Sequence, residues 1–164
     1  MHVNKTQVLC MDIHNFFPSI NINQVFEAFH CVGYTSDVAQ ALAQLCTHNA
    51  ILPQGAPTSP TLANIIFSPI DQQILNAIST KEITYTRYAD DLIFSSSHEL
   101  DFLIPLVSEI ISTNGFEINS NKTHLMKNPY RKMITGLIVT DTVKIPKYYK
   151  RKFNQELFYC EKYG

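Results

Sequence analysis

The sequence lacks several features that would assign a chain to a broad class. No apolar run approaches the ~20 residues of a membrane-spanning helix, and residues 1–5 carry no signal-peptide pattern. We therefore expect a cytoplasmic protein with no membrane partner. The four cysteines, Cys10, Cys31, Cys46 and Cys160, show no paired metal-ligand spacing, which favours reduced thiols over zinc ligands or disulfides. There is no internal repeat and no low-complexity segment.

A basic net charge is also missing. The formal net charge is −1, which counts against a stand-alone nucleic-acid-binding protein because such proteins usually carry a basic patch or a high pI. The charge is uneven, since five basic residues fall within positions 144–152. Most such runs are a solvated helix face. The chain has 164 residues, 45% of them hydrophobic, enough for one globular domain with a sizeable core.

The most informative stretch is the adjacent acidic pair Asp90 and Asp91. Residues 83–87 before it and 92–95 after it are rich in β-branched and aromatic side chains. They predict two short strands joined by a hairpin whose two-residue corner is the acidic pair. An isolated Asp pair is most often a solvated turn. Apolar strands on both sides indicate a partly buried hairpin, where two negative charges are costly unless a cation such as Mg²⁺ neutralises them with a third carboxylate.

The first third of the chain supplies that third carboxylate. Residues 7–13 form an apolar run of strand length with Asp12 at its end, although Asp12 alone is also a typical cap for the following turn. Asn23 and Ser36 are predicted to cap two helices. The second helix is expected to bury one apolar face, formed by Val38, Leu42 and Leu45.

The middle of the chain begins with a loop over residues 52–60 that is dense in Pro and Gly. Ser59 as N-cap and Pro60 as first helical residue predict a long helix to Ile78. Gly55 would let the backbone approach a ligand closely, although, without other motifs, a loop that only turns the chain is the favoured interpretation.

Later segments predict further elements. A helix over 99–114 is expected to end at Gly115, with Pro105 as a kink or break. Strands are expected over 116–119, 123–126 and 133–139, with Gly136 as a bulge in the last. Pro146 then opens a basic helix.

Five motifs in one order give the sequence a family resemblance. They are DIHNFFPSI (12–20), PQGAPTSP (53–60), YADD (88–91), GFEIN (115–119) followed by Lys122 and Thr123, and TGL (135–137). Together they resemble the reverse transcriptases, most closely those of the bacterial retron type, with group II intron enzymes as relatives. Five ordered motifs between residues 5 and 164 are far more specific than any single one.

This resemblance implies a fold and an activity. The fold is α+β: a right-hand polymerase palm with an antiparallel sheet backed by helices over residues 1–143, followed by the start of a thumb over 144–164. The activity is RNA-directed DNA synthesis by two-metal phosphoryl transfer, with two Mg²⁺ ions. The implied partners are an RNA template, a DNA or RNA primer, deoxynucleoside triphosphates and a cognate structured non-coding RNA. Antiviral defence and intron mobility both stay open as roles.

The resemblance also implies residue roles. Asp12 and Asp90 would ligate the metals, with Asp91 as a supporting acid, and Lys122 would lie near the triphosphate as a catalytic residue. Alone, Lys122 is an ordinary surface lysine. Phe17 would be a bulky side chain that excludes ribose 2′-hydroxyls from the nucleotide site, and core packing is the alternative role for it. The implied substrate-binding set is Ile13, Phe17, Gln54, Gly55 and Tyr88.

One departure from the family pattern bears on function. The family normally carries a fingers region with basic residues ahead of the strand of Asp12, whereas eleven residues precede Asp12 here. We therefore expect a palm without fingers, in a chain that begins within a longer protein. Two alternatives stay open. One is an inactive fragment or scaffold that needs a fingers-containing partner, and the other is a module that binds RNA through the basic helix from Lys147.

Overall fold

The computed structural model describes residues 2–127 and 132–164. Helices and antiparallel strands are mixed along the chain, which confirms the predicted α+β class. Within the described residues no helix is both long enough and apolar enough to cross a membrane. The elements are β1 (Gln7–Asp12), α1 (Ile22–Val32), α2 (Ser36–Cys46), α3 (Ser59–Ile78), β2 (Thr84–Tyr88), β3 (Asp91–Ser96), α4 (Leu103–Thr113), a 3₁₀ turn (Ser120–Lys122), β4 (His124–Met126), β5 (Lys132–Ile134), β6 (Leu137–Val139), β7 (Val143–Lys144) and α5 (Lys147–Tyr163).

The main sheet has four strands in the order β2-β3-β1-β4, and each neighbouring pair is antiparallel. Side chains alternate between its two faces, as the period of a strand requires. On β1, Leu9 and Met11 join the main core. Val8 belongs to a smaller cluster on the opposite face, and Cys10 packs against that cluster. Asp12 therefore lies on the same face as Val8 and Cys10.

Helices back the main-core face of the sheet, as expected. The longest, α3, contributes Phe67, Ile70 and Ile74 to a continuous core with Leu92 and Phe94 of β3 and with residues of α1 and α4. The second sheet, β5-β6-β7, packs on the other face, where Ile134 and Val139 meet Val8 and Ile93. The strand that carries Asp12 is thus packed on both faces.

The C-terminal helix α5 differs from the other helices. Pro146 is its N-cap, which confirms the predicted basic helix, and each of its residues, Lys147–Tyr163, is exposed. The division into a palm over 1–143 and a thumb over 144–164 stays a prediction.

Three predictions about the first two helices are wrong. Helix α1 is capped by Asn21, not Asn23, because the Asn21 side chain accepts the N–H groups of Asn23 and Gln24 in a capping box. Helix α2 has Thr35, not Ser36, as its N-cap residue, and its expected apolar face is largely exposed, with Val38 44% and Leu45 83% exposed. Small residues are buried instead, namely Ala39 and Ala43.

Helices α3 and α4 each begin differently from the prediction. For α3, Thr58 is the N-cap and the Ser59 hydroxyl donates to the carbonyl of Pro53 at 2.6 Å, although the end at Ile78 is correct. Helix α4 begins at Leu103, so Pro105 lies in its first turn, where a missing N–H costs nothing.

Two strand predictions also change. Residues 116–119 form no strand, and Ile118 alone makes a bridge, to Ile13. The segment 133–139 is a hairpin rather than one bulged strand. Thr135 and Gly136 have positive φ values of 44° and 81°, and they form the turn between β5 and β6.

Candidate catalytic site

The three predicted acids meet at one end of the main sheet. Asp12 is the last residue of β1 and pairs directly with Asp91, the first residue of β3. Asp90 precedes Asp91 in the hairpin turn. The N–H of Ile13 donates to the carbonyl of Asp90 at 3.0 Å, so the hairpin tip is tied to the end of β1. Antiparallel pairing between distant segments therefore places the carboxyl-bearing residues side by side.

The hairpin corner differs by one residue from the prediction. Tyr88 pairs with Asp91, so the two-residue turn is Ala89–Asp90 and Asp91 belongs to the strand. Ala89 has φ 51°, a left-handed conformation that is uncommon for a residue with a side chain. The shift puts Asp90 at the tip and leaves Asp91 half-buried beside Asp12.

Lys122 reaches the same site from the other edge of the sheet. The N–H of Asn119 donates to the carbonyl of Asp12 at 2.8 Å, and the Asn119 side chain caps the 3₁₀ turn that ends in Lys122. Lys122 Nζ then lies 2.9 Å from Asp12 Oδ2. This hydrogen bond and the negative charge of Asp12 raise the pKa of Lys122, which keeps the ammonium charged.

Negative charge accumulates around Asp91. Burial raises the pKa of Asp91, and the neighbouring charges of Asp90 and Asp12 raise it further, while Lys122 opposes the shift. On the same face, burial and the charge of Asp91 raise the pKa of Cys10 to about 11. A site with this excess of negative charge favours a cation.

Asp12 and Asp90 open onto a cavity of about 400 Å³. Three of the predicted substrate-binding residues line it together with these two acids and the lysine of the site, and so do four motif residues for which no individual role was predicted. The first group is Asp12, Ile13, Phe17, Gln54, Asp90 and Lys122; the second is His14, Asn15, Phe16 and Asn119. The volume is of the size usual for small-molecule pockets.

The other two predicted substrate-binding residues lie beside this cavity. Tyr88 is 74% exposed and lines a neighbouring cavity of about 310 Å³, which shares Phe17 with the first. Gly55 follows Gln54 in an exposed loop and has φ 87°, a conformation that glycine adopts easily. Phe17 is half-buried and packs on Phe16, with ring centroids 5.4 Å apart.

The predicted acids do not form a complete set of metal ligands in this structure. Within residues 2–127 and 132–164, no three His, Cys, Asp or Glu side chains are arranged to hold a metal ion. Lys122 is bonded to Asp12 Oδ2 and so occupies one of the two carboxylate oxygens of Asp12. The donor chemistry nevertheless fits Mg²⁺, which takes carboxylate oxygens and often binds through one or two carboxylates plus substrate phosphates.

A hydrogen-bond network behind the hairpin was not predicted. Arg87 of β2 forms an ion pair with Asp71 of α3, and it also donates to Asn64 and to the carbonyl of Ala89. Tyr85 donates to the same Asp71 at 2.7 Å. Apart from Ala89, the partners are 14 to 23 residues apart in sequence, so no local pattern could have identified the network.

Comparison with known proteins agrees with this arrangement. A family model described as reverse transcriptase (RNA-dependent DNA polymerase) matches residues 2–148. Retron Ec86 reverse transcriptase of Escherichia coli is 37% identical over 145 residues, covering 85% of this chain and 44% of that protein. Retron Mx65 reverse transcriptase of Myxococcus xanthus is 32% identical over 162 residues, covering 87% and 38%. The chain thus spans less than half the length of these relatives.

A solved structure shows the same fold at low sequence identity. Apo telomerase from Candida tropicalis, truncated from its C-terminal domain, superposes with a TM-score of 0.64 at 16% identity, covering 85% of this chain and 35% of that one. The match confirms the reverse transcriptase fold. The chain therefore belongs to the reverse transcriptase family, and within that family its similarity is to the bacterial retron type.

Proposed function

We propose that this chain is the catalytic palm of an RNA-directed DNA polymerase of the retron type. The observation that carries the proposal is the pairing of Asp12 with Asp91 beside Asp90, at the mouth of a cavity that also holds Lys122. A protein that only binds RNA has no need of clustered carboxylates, which repel phosphate unless a cation lies between them. The similarity to retron reverse transcriptases supports the same conclusion.

In the proposed reaction the primer 3′-hydroxyl gives up its proton to solvent, its oxygen bonds to the α-phosphorus of a deoxynucleotide, and the bond from that phosphorus to pyrophosphate breaks. Asp12 and Asp90 are the residues that would hold Mg²⁺, with Asp91 as the supporting acid. When bound, Mg²⁺ stabilises the charge on the attacking and leaving oxygens. Lys122 would move from Asp12 to the departing pyrophosphate, where its ammonium neutralises charge or donates a proton.

The cavity residues would position the nucleotide. The backbone between Ile13 and Phe17 would run along the triphosphate, and the loop with Gln54 and Gly55 would line the nucleotide and template. Phe17 packs on Phe16 and projects no polar atom, so it would exclude a ribose 2′-hydroxyl by contact. Tyr88 would contact the substrate from the neighbouring cavity. The proposed partners are an RNA template, a primer, deoxynucleotides and a structured non-coding RNA.

Primer extension tests the proposal. An RNA template with an annealed primer, Mg²⁺ and deoxynucleotides is incubated with the chain, and also with Retron Ec86 reverse transcriptase in which the matching region is replaced by this chain. The Asp90→Ala variant is the matched control in both formats. We expect DNA synthesis that disappears in Asp90→Ala. RNA binding without synthesis in both formats would contradict the proposal and favour an RNA-binding scaffold.

A further inference from the structure

The network behind the hairpin has an unusual position. Arg87 lies on the face of the sheet that packs against α3, opposite the face of Asp12 and Asp91, yet its guanidinium reaches the turn that presents Asp90. Its side chain is 8% exposed, and that of Asp71 is 24% exposed. A buried guanidinium with so many fixed partners holds its neighbours in defined positions.

Four of the five guanidinium N–H donors are used. Nε and Nη2 of Arg87 bond both carboxylate oxygens of Asp71, with Nη2 to Oδ2 at 2.8 Å. Nη1 donates to Asn64 Oδ1 at 2.9 Å and to the carbonyl of Ala89 at 3.1 Å. Arg87 Cζ lies over the ring of Phe67, 4.6 Å from its centroid. Only a planar fork of donors can make these contacts together.

The turn needs this support because its backbone is uncommon. Ala89 has φ 51°, which a side chain disfavours. Two consecutive carbonyls of the turn accept hydrogen bonds. The carbonyl of Ala89 accepts from the guanidinium of Arg87, and the carbonyl of Asp90 accepts from the N–H of Ile13, which follows β1. Asp90 is thereby fixed between α3 and β1.

We infer that Arg87, held by Asp71, is a positioning residue that fixes the hairpin tip so that Asp90 can bind a divalent cation beside Asp12. The inference rests on the proposed function, since it assigns Asp90 a metal. Groups that orient metal ligands typically contribute 10–100-fold to metal affinity. Arg87 does not line the cavity of Asp12, Asp90 and Lys122, and it would act on the metal site through the turn.

The probe is Mn²⁺ alone, and its binding to the protein is measured by electron paramagnetic resonance. The test therefore does not need DNA synthesis. Arg87→Lys keeps the charge and loses the fork of donors. Tyr85→Phe is the matched control, because it removes one hydrogen bond to Asp71 and leaves Ala89 and Arg87 connected. We expect Arg87→Lys to weaken Mn²⁺ binding by about 10-fold or more. Tyr85→Phe should change it less than about 3-fold.

A second readout is amide hydrogen exchange of residues 88–91, which should become faster in Arg87→Lys and stay unchanged in Tyr85→Phe. If Arg87→Lys does not fold, Asp71→Asn serves in its place, because it keeps the shape and weakens the ion pair. A folded variant with wild-type Mn²⁺ affinity overturns the inference, and so does a wild-type chain that binds no Mn²⁺. Mn²⁺ binding without DNA synthesis would contradict only the proposed polymerase activity.

Discussion

Variants of the ion pair between Arg87 and Asp71 can distinguish its contribution to the stability of the fold from its contribution to the geometry of the metal site. Replacing Arg87 by Met leaves the carboxylate of Asp71 without its cation in a mostly buried place. Removing one partner of a buried pair costs roughly 3–5 kcal/mol. Each kcal/mol shifts the melting temperature of a chain this long by about 2–4 °C, so we expect Arg87→Met to melt roughly 6–20 °C lower.

The double variant Arg87→Met/Asp71→Leu removes both charges. Replacing a buried pair with apolar side chains is often neutral, but here the partly buried Tyr85 hydroxyl also loses its partner, at about 1–3 kcal/mol for an unsatisfied group. Asn64 is exposed and can bond water instead. We expect the double variant to recover part of the lost stability. Its Mn²⁺ binding should stay weakened, because the carbonyl of Ala89 is still not held.

Thermal and urea unfolding, with Mn²⁺ binding measured on the same samples, check this reasoning. A loss of less than about 1 kcal/mol in Arg87→Met would place the pair among weak surface ion pairs and refute the burial argument. Recovery of Mn²⁺ affinity along with stability in the double variant would show that Arg87 only stabilises the fold.

Three further predictions concern the site itself. Because the pKa of Asp91 is raised in the folded protein, its ionised form opposes folding. Asp91→Asn should therefore stabilise the protein at pH 7 by less than about 1 kcal/mol. Urea unfolding should show that this gain in stability shrinks as the pH falls toward 4, where the carboxyl of the wild type becomes protonated in both states. Lys122→Met removes the ammonium that competes for Asp12 Oδ2, so Mn²⁺ titration should show tighter binding while the rate of primer extension falls about 10²-fold or more. Phe17→Ala should raise ribonucleotide incorporation at least about 10-fold in single-nucleotide extension, and equal discrimination would make Phe17 a packing residue.

Much of the site could be predicted because its residues sit in strongly patterned segments. The apolar run before Asp12 and the β-branched flanks of the acidic pair identify strands, and the structure has both. The sequence predicts the hairpin turn at Asp90–Asp91, whereas the structure has it one residue earlier, at Ala89–Asp90. Composition favours Asp in turns, but cross-strand pairing with Asp12 decided the register.

Other features depended on tertiary contacts that a single sequence does not show. Val38 and Leu45 follow a helical period, but α2 buries the small residues Ala39 and Ala43 instead. The guanidinium network depends on α3 lying behind the hairpin, which no local pattern encodes. The sequence predicts a bulge at Gly136, whereas Thr135 and Gly136 form a turn that leaves two strands of only three residues each.

The most direct test of the catalytic site is single-nucleotide extension of a primer on an RNA template, comparing wild-type protein with Asp90→Asn and with Lys127→Gln. Lys127 forms an exposed ion pair with Asp101 away from the cavity, so its substitution controls for a surface charge change. We expect addition of the templated deoxynucleotide by wild type and Lys127→Gln, and at least a 10²-fold slower addition by Asp90→Asn. Equal rates for wild type and Asp90→Asn would contradict the proposed catalytic site.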